Sequence, residues 1–232
     1  MSMTLHHGEP NGPSLAVLAA LFEKNLSATL VYMDLTAGAR AELPCARQTE
    51  VAMSIEGEGP VLVVDGEGMT DSVFIACYFD ELGPAGVLRP IEPYARWECM
   101  AWCRQLTERT APAAAFLGCH AYPPKSGTII PGSDERQADC QTKIAQAVAR
   151  IEARLESRRW LMDRFSMADL ESYAWLAGMV ELAPAAFAGQ TRTAQWLRRT
   201  RERPAVARAL ALSRVADPAR SWAPGPEINR WG

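Results

Sequence analysis

The chain carries almost no excess of charge. Its 24 basic and 27 acidic residues leave a net charge of −3 over 232 residues, so no global field favours nucleic acid or an anionic membrane surface as a partner. A small molecule or another protein is the expected partner instead. None of the six cysteines, at positions 45, 77, 99, 103, 119 and 140, forms a C-x-x-C pair, the spacing that metal sites and redox motifs use. Cys99 and Cys103 share a helix face, but the nearest histidine is His120 and no quartet of ligands assembles; reduced, buried thiols and no metal are expected. Long hydrophobic runs are also lacking. The segment "SLAVLAALF" (14–22) is short, is followed by Glu23 and Lys24, and has no basic leader, so it reads as neither a signal peptide nor a membrane span, and a cytoplasmic location is expected. Internal repeats are absent.

What is present is a globular balance, 48% hydrophobic and 22% charged with 7 Trp and 9 Met, enough to build a core. The length suits one large or two ordinary domains, and two are expected. The first eighty residues alternate in type. "MTLHH" reads as a strand and "GEPNGP" as a turn-rich loop. "SLAVLAALFEKNL" reads as a helix with apolar residues at 15, 18, 19 and 22, and "SATLVYMDL" as a second strand. Residues 36–57 read as irregular or weakly helical, "PVLVVDG" as a strand, and "MTD" as its antiparallel return after a tight turn, with Ser72 opening a helix to Leu82. Beyond the linker "GPAGVLRPIEP" everything reads as helical. "YARWECMAWCRQLTERTAPAAAF" is one long helix interrupted near Pro112. Residues 118–133 form a Gly/Pro loop. Residues 134–160 form a helix with Ile144, Val148, Ile151 and Leu155 on one face. Ser166 and Asp169 are spaced as a capping box. Two shorter helices follow, the second with Pro204 in its first turn. The tail "WAPGPEINRWG" has no period.

"GPVLVVDGEGMTDS", "CYFDELGP" and "FSMADL", in this order, resemble the proline–strand–turn–strand–acid–Ser element, the end of the third helix and the capped start of the sixth helix of the glutathione transferase superfamily. The resemblance implies an α+β chain: a thioredoxin-like glutathione-binding domain over residues 1–83, a linker at 84–92, and an all-helical substrate and dimer domain over 93–232 with an irregular tail. The stretches "GEPNGPSLAVLAALFEKNL" and "APGPEINRWG" are similar to the bacterial β-aryl-ether-cleaving transferases, the β-etherases of lignin breakdown.

Taken alone, Ser72 and Asp71 read as a helix cap and a first-turn acid, and Ser14 as a cap of the first helix. The resemblance implies more. Gly59, ahead of Pro60 in a cis bond, would lend its backbone to the cysteinyl part of glutathione. Ser72 would hold the γ-glutamyl carboxylate at a helix N-terminus, and Asp71 would accept from the ammonium. Ser14 would be the catalytic hydroxyl that steadies the glutathione thiolate, lowering a thiol pKa of ~8.5. Two departures from the family's pattern stand out. Residues 54–57 read Ser-Ile-Glu-Gly where an Asn-Pro-x-Gly run is usual, and Gly59 replaces a branched apolar residue. Pro13 precedes Ser14 where β-etherase relatives carry Asn, and Asn11 lies two positions further back. Tyr94, Trp97 and Trp102 either line an aromatic pocket or pack as core or subunit contact. His6 and His7 read as structural, and the basic run 198–208 as a solvated helix end. The implied activity is a glutathione-dependent transferase or lyase acting on an aromatic substrate, in a homodimer or in a heterodimer with a paralogue. The competing readings are a partner subunit with a degenerate glutathione site and a generic detoxifying transferase.

Overall fold

A computed structural model describes residues 2–35, 39–54, 56, 59–83, 88–123 and 133–222. Four strands, β1 (Met3–His7), β2 (Thr29–Tyr32), β3 (Val61–Val64) and β4 (Glu67–Met69), form one sheet in the order β2-β1-β3-β4. β2 runs parallel to β1, and β3 and β4 return antiparallel. The register places Leu5 opposite both Leu30 and Leu62. Because alternate side chains share a face, this lays an apolar stripe across the middle strands, with Leu5 and Leu62 buried.

The parallel pair needs a crossover, and α1 (Gly12–Glu23) supplies it. Its residues from Ser14 to Phe22 are all buried, so the one-sided apolar face expected from the sequence is instead apolar all round. The cause is its place: α1 packs on α3 (Ser72–Leu82) and also on α7 (Met167–Leu176) and α11 (Pro204–Leu210) of the helical part, and a helix covered on every side keeps no polar face. A single core therefore runs from the sheet into the helices. Between β2 and β3 the irregular stretch resolves into 3-10 turns at Ala39–Glu42 and Pro44–Arg47 and the short helix α2 (Thr49–Ala52).

The predicted long helix is α4 (Pro93–Gln105), a π-helical turn at Leu106–Thr110, and α5 (Ala111–Ala121). The interruption falls just before Pro112, which has no N–H to give to the preceding turn. Part of the expected Gly/Pro loop is helical to Ala121, and 124–132 lie outside the described residues. α6 (Asp134–Arg154) stops short of the predicted 160, where the chain doubles back and Arg154 Nε donates to the Leu161 carbonyl (2.7 Å). Its face of Ile144, Val148 and Ile151, continued by Leu155, is buried as read.

The capping box at α7 is present. The Ser166 N–H donates to Asp169 Oδ2 (3.0 Å) and the Asp169 N–H to the Ser166 carbonyl (3.1 Å), while Asp169 Oδ1 takes the indole N–H of Trp196 (2.8 Å) and the Leu161 N–H (3.0 Å). Burial lifts this carboxyl to about 6 against the pull of those donors. The short helices α8 (Met179–Leu182) and α9 (Pro184–Phe187), α10 (Thr191–Arg201) and α11 complete the set. No helix among the described residues is long and apolar enough to cross a membrane.

Candidate functional site

Two helices begin at the residues singled out in the sequence. At α1, extended Asn11 leads into Pro13, whose fixed φ suits a first turn. Ser14 sits in that turn, buried, and its Oγ accepts the Gly8 N–H (3.0 Å). That bond uses a lone pair and leaves the hydroxyl proton to be donated elsewhere. His7 Nδ1–H donates to the Gly8 carbonyl (2.8 Å), and burial depresses its pKa, so the ring is neutral. Asn11 is directed elsewhere: its amide donates to the Ser221 carbonyl (3.1 Å).

The same loop is covered by the end of the described chain. Glu9 Oε2 accepts from the Ser213 hydroxyl (2.9 Å) and the Arg214 N–H (3.1 Å). Trp222 then locks this segment onto the helical part. A Cβ at Gly118 would lie 2.2 Å from the indole, and one at Gly178 2.9 Å from it, so glycine is needed at both positions for the ring to seat. The ring stands 6.3 Å from Trp175, which itself lies against Gly12 and buries an indole N–H that has no partner among the described residues.

At α3 the geometry is different. Asp71 precedes the helix at φ 65°, ψ 118°, a strained conformation for a side-chain-bearing residue. It is held there by its Oδ1, which accepts from the Ser54 hydroxyl (2.6 Å) and the Glu56 N–H (3.1 Å). Glu56 is a residue that no motif in the sequence marks. Its side chain turns inward and its carboxylate takes both donors of Ser72, the N–H at Oε2 (2.8 Å) and the hydroxyl at Oε1 (2.7 Å). Ser72 Oγ also lies 3.2 Å from Glu171 Oε2, a buried carboxyl on α7 whose other oxygen has no partner among the described residues.

A serine hydroxyl has one proton. If it serves Glu56, the contact to Glu171 needs a proton on Glu171. Electrostatics agree: burial, then the nearby Glu56 charge, push Glu171 well above the ordinary carboxylate range, with only Ser72 opposing. Glu56 itself is raised to about 7, first by burial and then by the Asp71 charge, against the Ser72 donors and Arg40. Buried Arg40 donates to the backbone carbonyls of Glu56 and of Gly59 (3.4 Å), tying this turn down.

Gly59 and Pro60 depart from expectation. No described peptide bond is cis, so Gly59–Pro60 is trans, and the Gly59 N–H donates inward to the Glu56 carbonyl (2.8 Å). With its carbonyl facing Arg40 as well, Gly59 keeps both backbone groups within the turn rather than presenting them at a strand edge. The structure thus brings Gly59, Asp71 and Ser72 together around Glu56, whereas Ser14 shares no recorded hydrogen bond with that cluster.

The remaining groups sort by exposure. Tyr94 and Trp97 pair with ring centroids 5.3 Å apart on the outer face of α4, 68% and 60% exposed, while Trp102 turns inward and donates to the Ser172 hydroxyl (3.2 Å). One stripe of aromatics therefore has two uses. The basic run is more structural than a solvated helix end. Arg203 forms a two-point ion pair with Glu23 of α1 (2.7 and 2.8 Å) and lies 3.6 Å from the Phe165 ring, and Arg208 stacks 3.9 Å over Phe22. None of the six cysteines forms a disulfide; five are buried and Cys77 is half-buried.

No family model matches the chain. Protein LigF of Sphingobium sp. strain SYK-6 is 25% identical over 255 aligned positions, spanning 94% of this chain and 96% of LigF. Among solved structures, β-etherase LigF superposes with a TM-score of 0.75 at 22% identity, covering 92% of this chain and all of that one. A glutathione S-transferase from Methylobacillus flagellatus KT with glutathione bound gives 0.71 at 22% identity, over 90% of this chain and 98% of that one. The order of the sheet and helices, the capped start of α7 and the superposition along nearly the whole length give this chain the glutathione transferase fold, with a sequence similar to LigF.

Proposed function

We propose that the protein is a glutathione-dependent transferase that cleaves β-aryl ethers of lignin-derived aromatic ketones. The observation that carries this reading is Ser14. A buried hydroxyl with its proton uncommitted by the Gly8 bond sits in the first turn of α1, where the helix dipole also favours a thiolate, in a chain similar to LigF. The thiolate would attack the carbon that bears the aryl ether beside the ketone. The new C–S bond forms as the C–O bond breaks, the electron pair leaves on the phenolate, and a glutathionyl ketone remains. Alignment of thiolate and carbon, together with the Ser14 donor, would supply much of the rate. In this reading Ser72 and Asp71 take the γ-glutamyl end, and Gly59 with Pro60 borders the cysteinyl part. The chain would divide into a glutathione-binding domain (1–83) and a helical domain (93–232). The outward Tyr94 and Trp97, with Phe74 of α3 also 62% exposed, suit a contact between subunits. Mixing the protein with glutathione and a β-aryl ether ketone should release phenol, measured chromatographically. No release from either enantiomer would reject this substrate.

Glu56 favours a second reading, a partner subunit with a degenerate glutathione site, because its carboxylate already fills the Ser72 donors. Phenol release only after addition of a paralogous chain would select it.

A further inference from the structure

We infer that the Glu56 carboxylate is a built-in occupant of a carboxylate seat at the start of α3, and that a γ-glutamyl thiol enters this seat only by displacing it. The inference deepens the proposed function and rests on glutathione being the ligand.

The two-point grip on Glu56 is the one a helix N-terminus offers an external carboxylate: backbone N–H to one oxygen and hydroxyl to the other, at 2.8 and 2.7 Å. The seat is shaped for this occupant. A Cβ at Gly59 would lie 2.7 Å from Glu56 Cβ and 2.8 Å from Oε2, so any side chain at 59 would evict Glu56. The departure at Gly59 and the glutamate at 56 are therefore one device, with Gly59 leaving the space that Glu56 fills. Displacement needs only rotation of the Glu56 side chain. Its backbone is anchored independently, the N–H to Asp71 and the carbonyl by Gly59 and Arg40.

Glu171 supplies a second sign of a ligand. One of its oxygens is fully buried at the seat without a partner among the described residues, a cost a native interior normally avoids. Glu56, whose two oxygens both accept from Ser72, gives it no hydrogen bond. A ligand with an ammonium beside its carboxylate does, and the γ-glutamyl end of glutathione is such a group. Among the described residues the titratable groups facing Glu56 are Asp71 ahead of α3, Glu171 and the cationic Arg40, so the seat holds its internal side chain against two acidic neighbours.

The test is calorimetric titration of glutathione into the wild type, Glu56→Ala and Glu56→Ala/Ser72→Ala, with glutarate as a second probe that lacks thiol and ammonium. Emptying the seat should tighten glutathione binding at least about tenfold, the gain expected when only a tenth of the molecules are open at rest, and Ser72→Ala should abolish the gain. Equal affinity in the wild type and Glu56→Ala overturns the inference while leaving the glutathione reading standing. If neither binds glutathione but Glu56→Ala alone takes glutarate in a Ser72-dependent way, the seat stands and the glutathione reading falls. No gain for either probe overturns the inference. Should Glu56→Ala fail to fold, the isosteric Glu56→Gln, a weaker occupant, should still tighten binding about threefold, and no change in it would also overturn the inference.

Discussion

The start of α1 and the start of α3 carry the same buried residue type in the first turn of a helix, yet only one of them is filled from within. At α1, Ser14 accepts one backbone N–H and keeps its proton; at α3, Ser72 has spent both donors on Glu56 and touches Glu171 as well. The local chemistry is nearly identical, a hydroxyl at the positive end of a helix dipole. What differs is what the rest of the chain brings to it. A covering segment, residues 213–222, reaches the loop before α1 through Glu9 and Asn11, whereas a side chain from only sixteen positions upstream enters the seat of α3. A helix start is thus a potential site, and its state is set by neighbours that its own sequence does not name.

The largest effect expected from breaking this comparison is at the cover. Trp222→Ala removes a large buried ring and should cost about 3–5 kcal/mol of stability in denaturant melts, as aromatic truncations in cores do. It should also raise amide exchange at Asn11 and Gly12. A loss under about 1 kcal/mol would mean that the cover is not pinned there. Next comes the hydroxyl itself. Ser14→Ala should lower turnover with glutathione about a hundredfold or more, in line with loss of one oxyanion donor, with little change in melting temperature. The ultraviolet absorbance of the bound thiolate should report a pKa moved back towards ~8.5. If Ser72→Ala lowered kcat as much as Ser14→Ala did, the division between a reacting end and a seating end would collapse.

The smallest effect sharpens the comparison through pH. Glu56 is raised from 4.5 to about 7 and Asp169 from 3.8 to about 6, so between those limits the native chain holds protons that the unfolded chain has released. Each such group stabilises the fold below the unfolded value, and that stability is lost as pH rises through the folded one, with a slope of up to about 1.4 kcal/mol per pH unit for each proton. Stability should therefore fall from pH 5 to pH 7.5, and Glu56→Gln should flatten the slope above pH 6. An unchanged slope in Glu56→Gln would place its carboxyl outside the buried seat.

Much of the fold was legible because it rests on short-range rules. The strands β1 and β3, the span Ser72–Leu82, the Ser166–Asp169 box and the break near Pro112 each follow from period, cap or proline within a few residues. Ser14 and Ser72 were legible for the same reason, as hydroxyls at helix starts. Hidden from the sequence were Glu56 in its seat, the protonated partner Glu171, the trans Gly59–Pro60 bond and the second use of the aromatic stripe on α4. Two signals were nonetheless present: a glycine where a branched residue was expected, and a lone glutamate inside a helix buried on every side.

By itself, then, the amino-acid order determined which of the larger segments become strands and helices, since those choices depend on backbone preference and on burial patterns read over a turn or two. Only the tertiary structure decided that one helix start keeps a hydroxyl proton to give and the other is closed by an internal carboxylate. Occupancy of a donor is settled by whichever acceptor the packed chain delivers to it, and Glu171 reaches Ser72 across 99 residues of sequence.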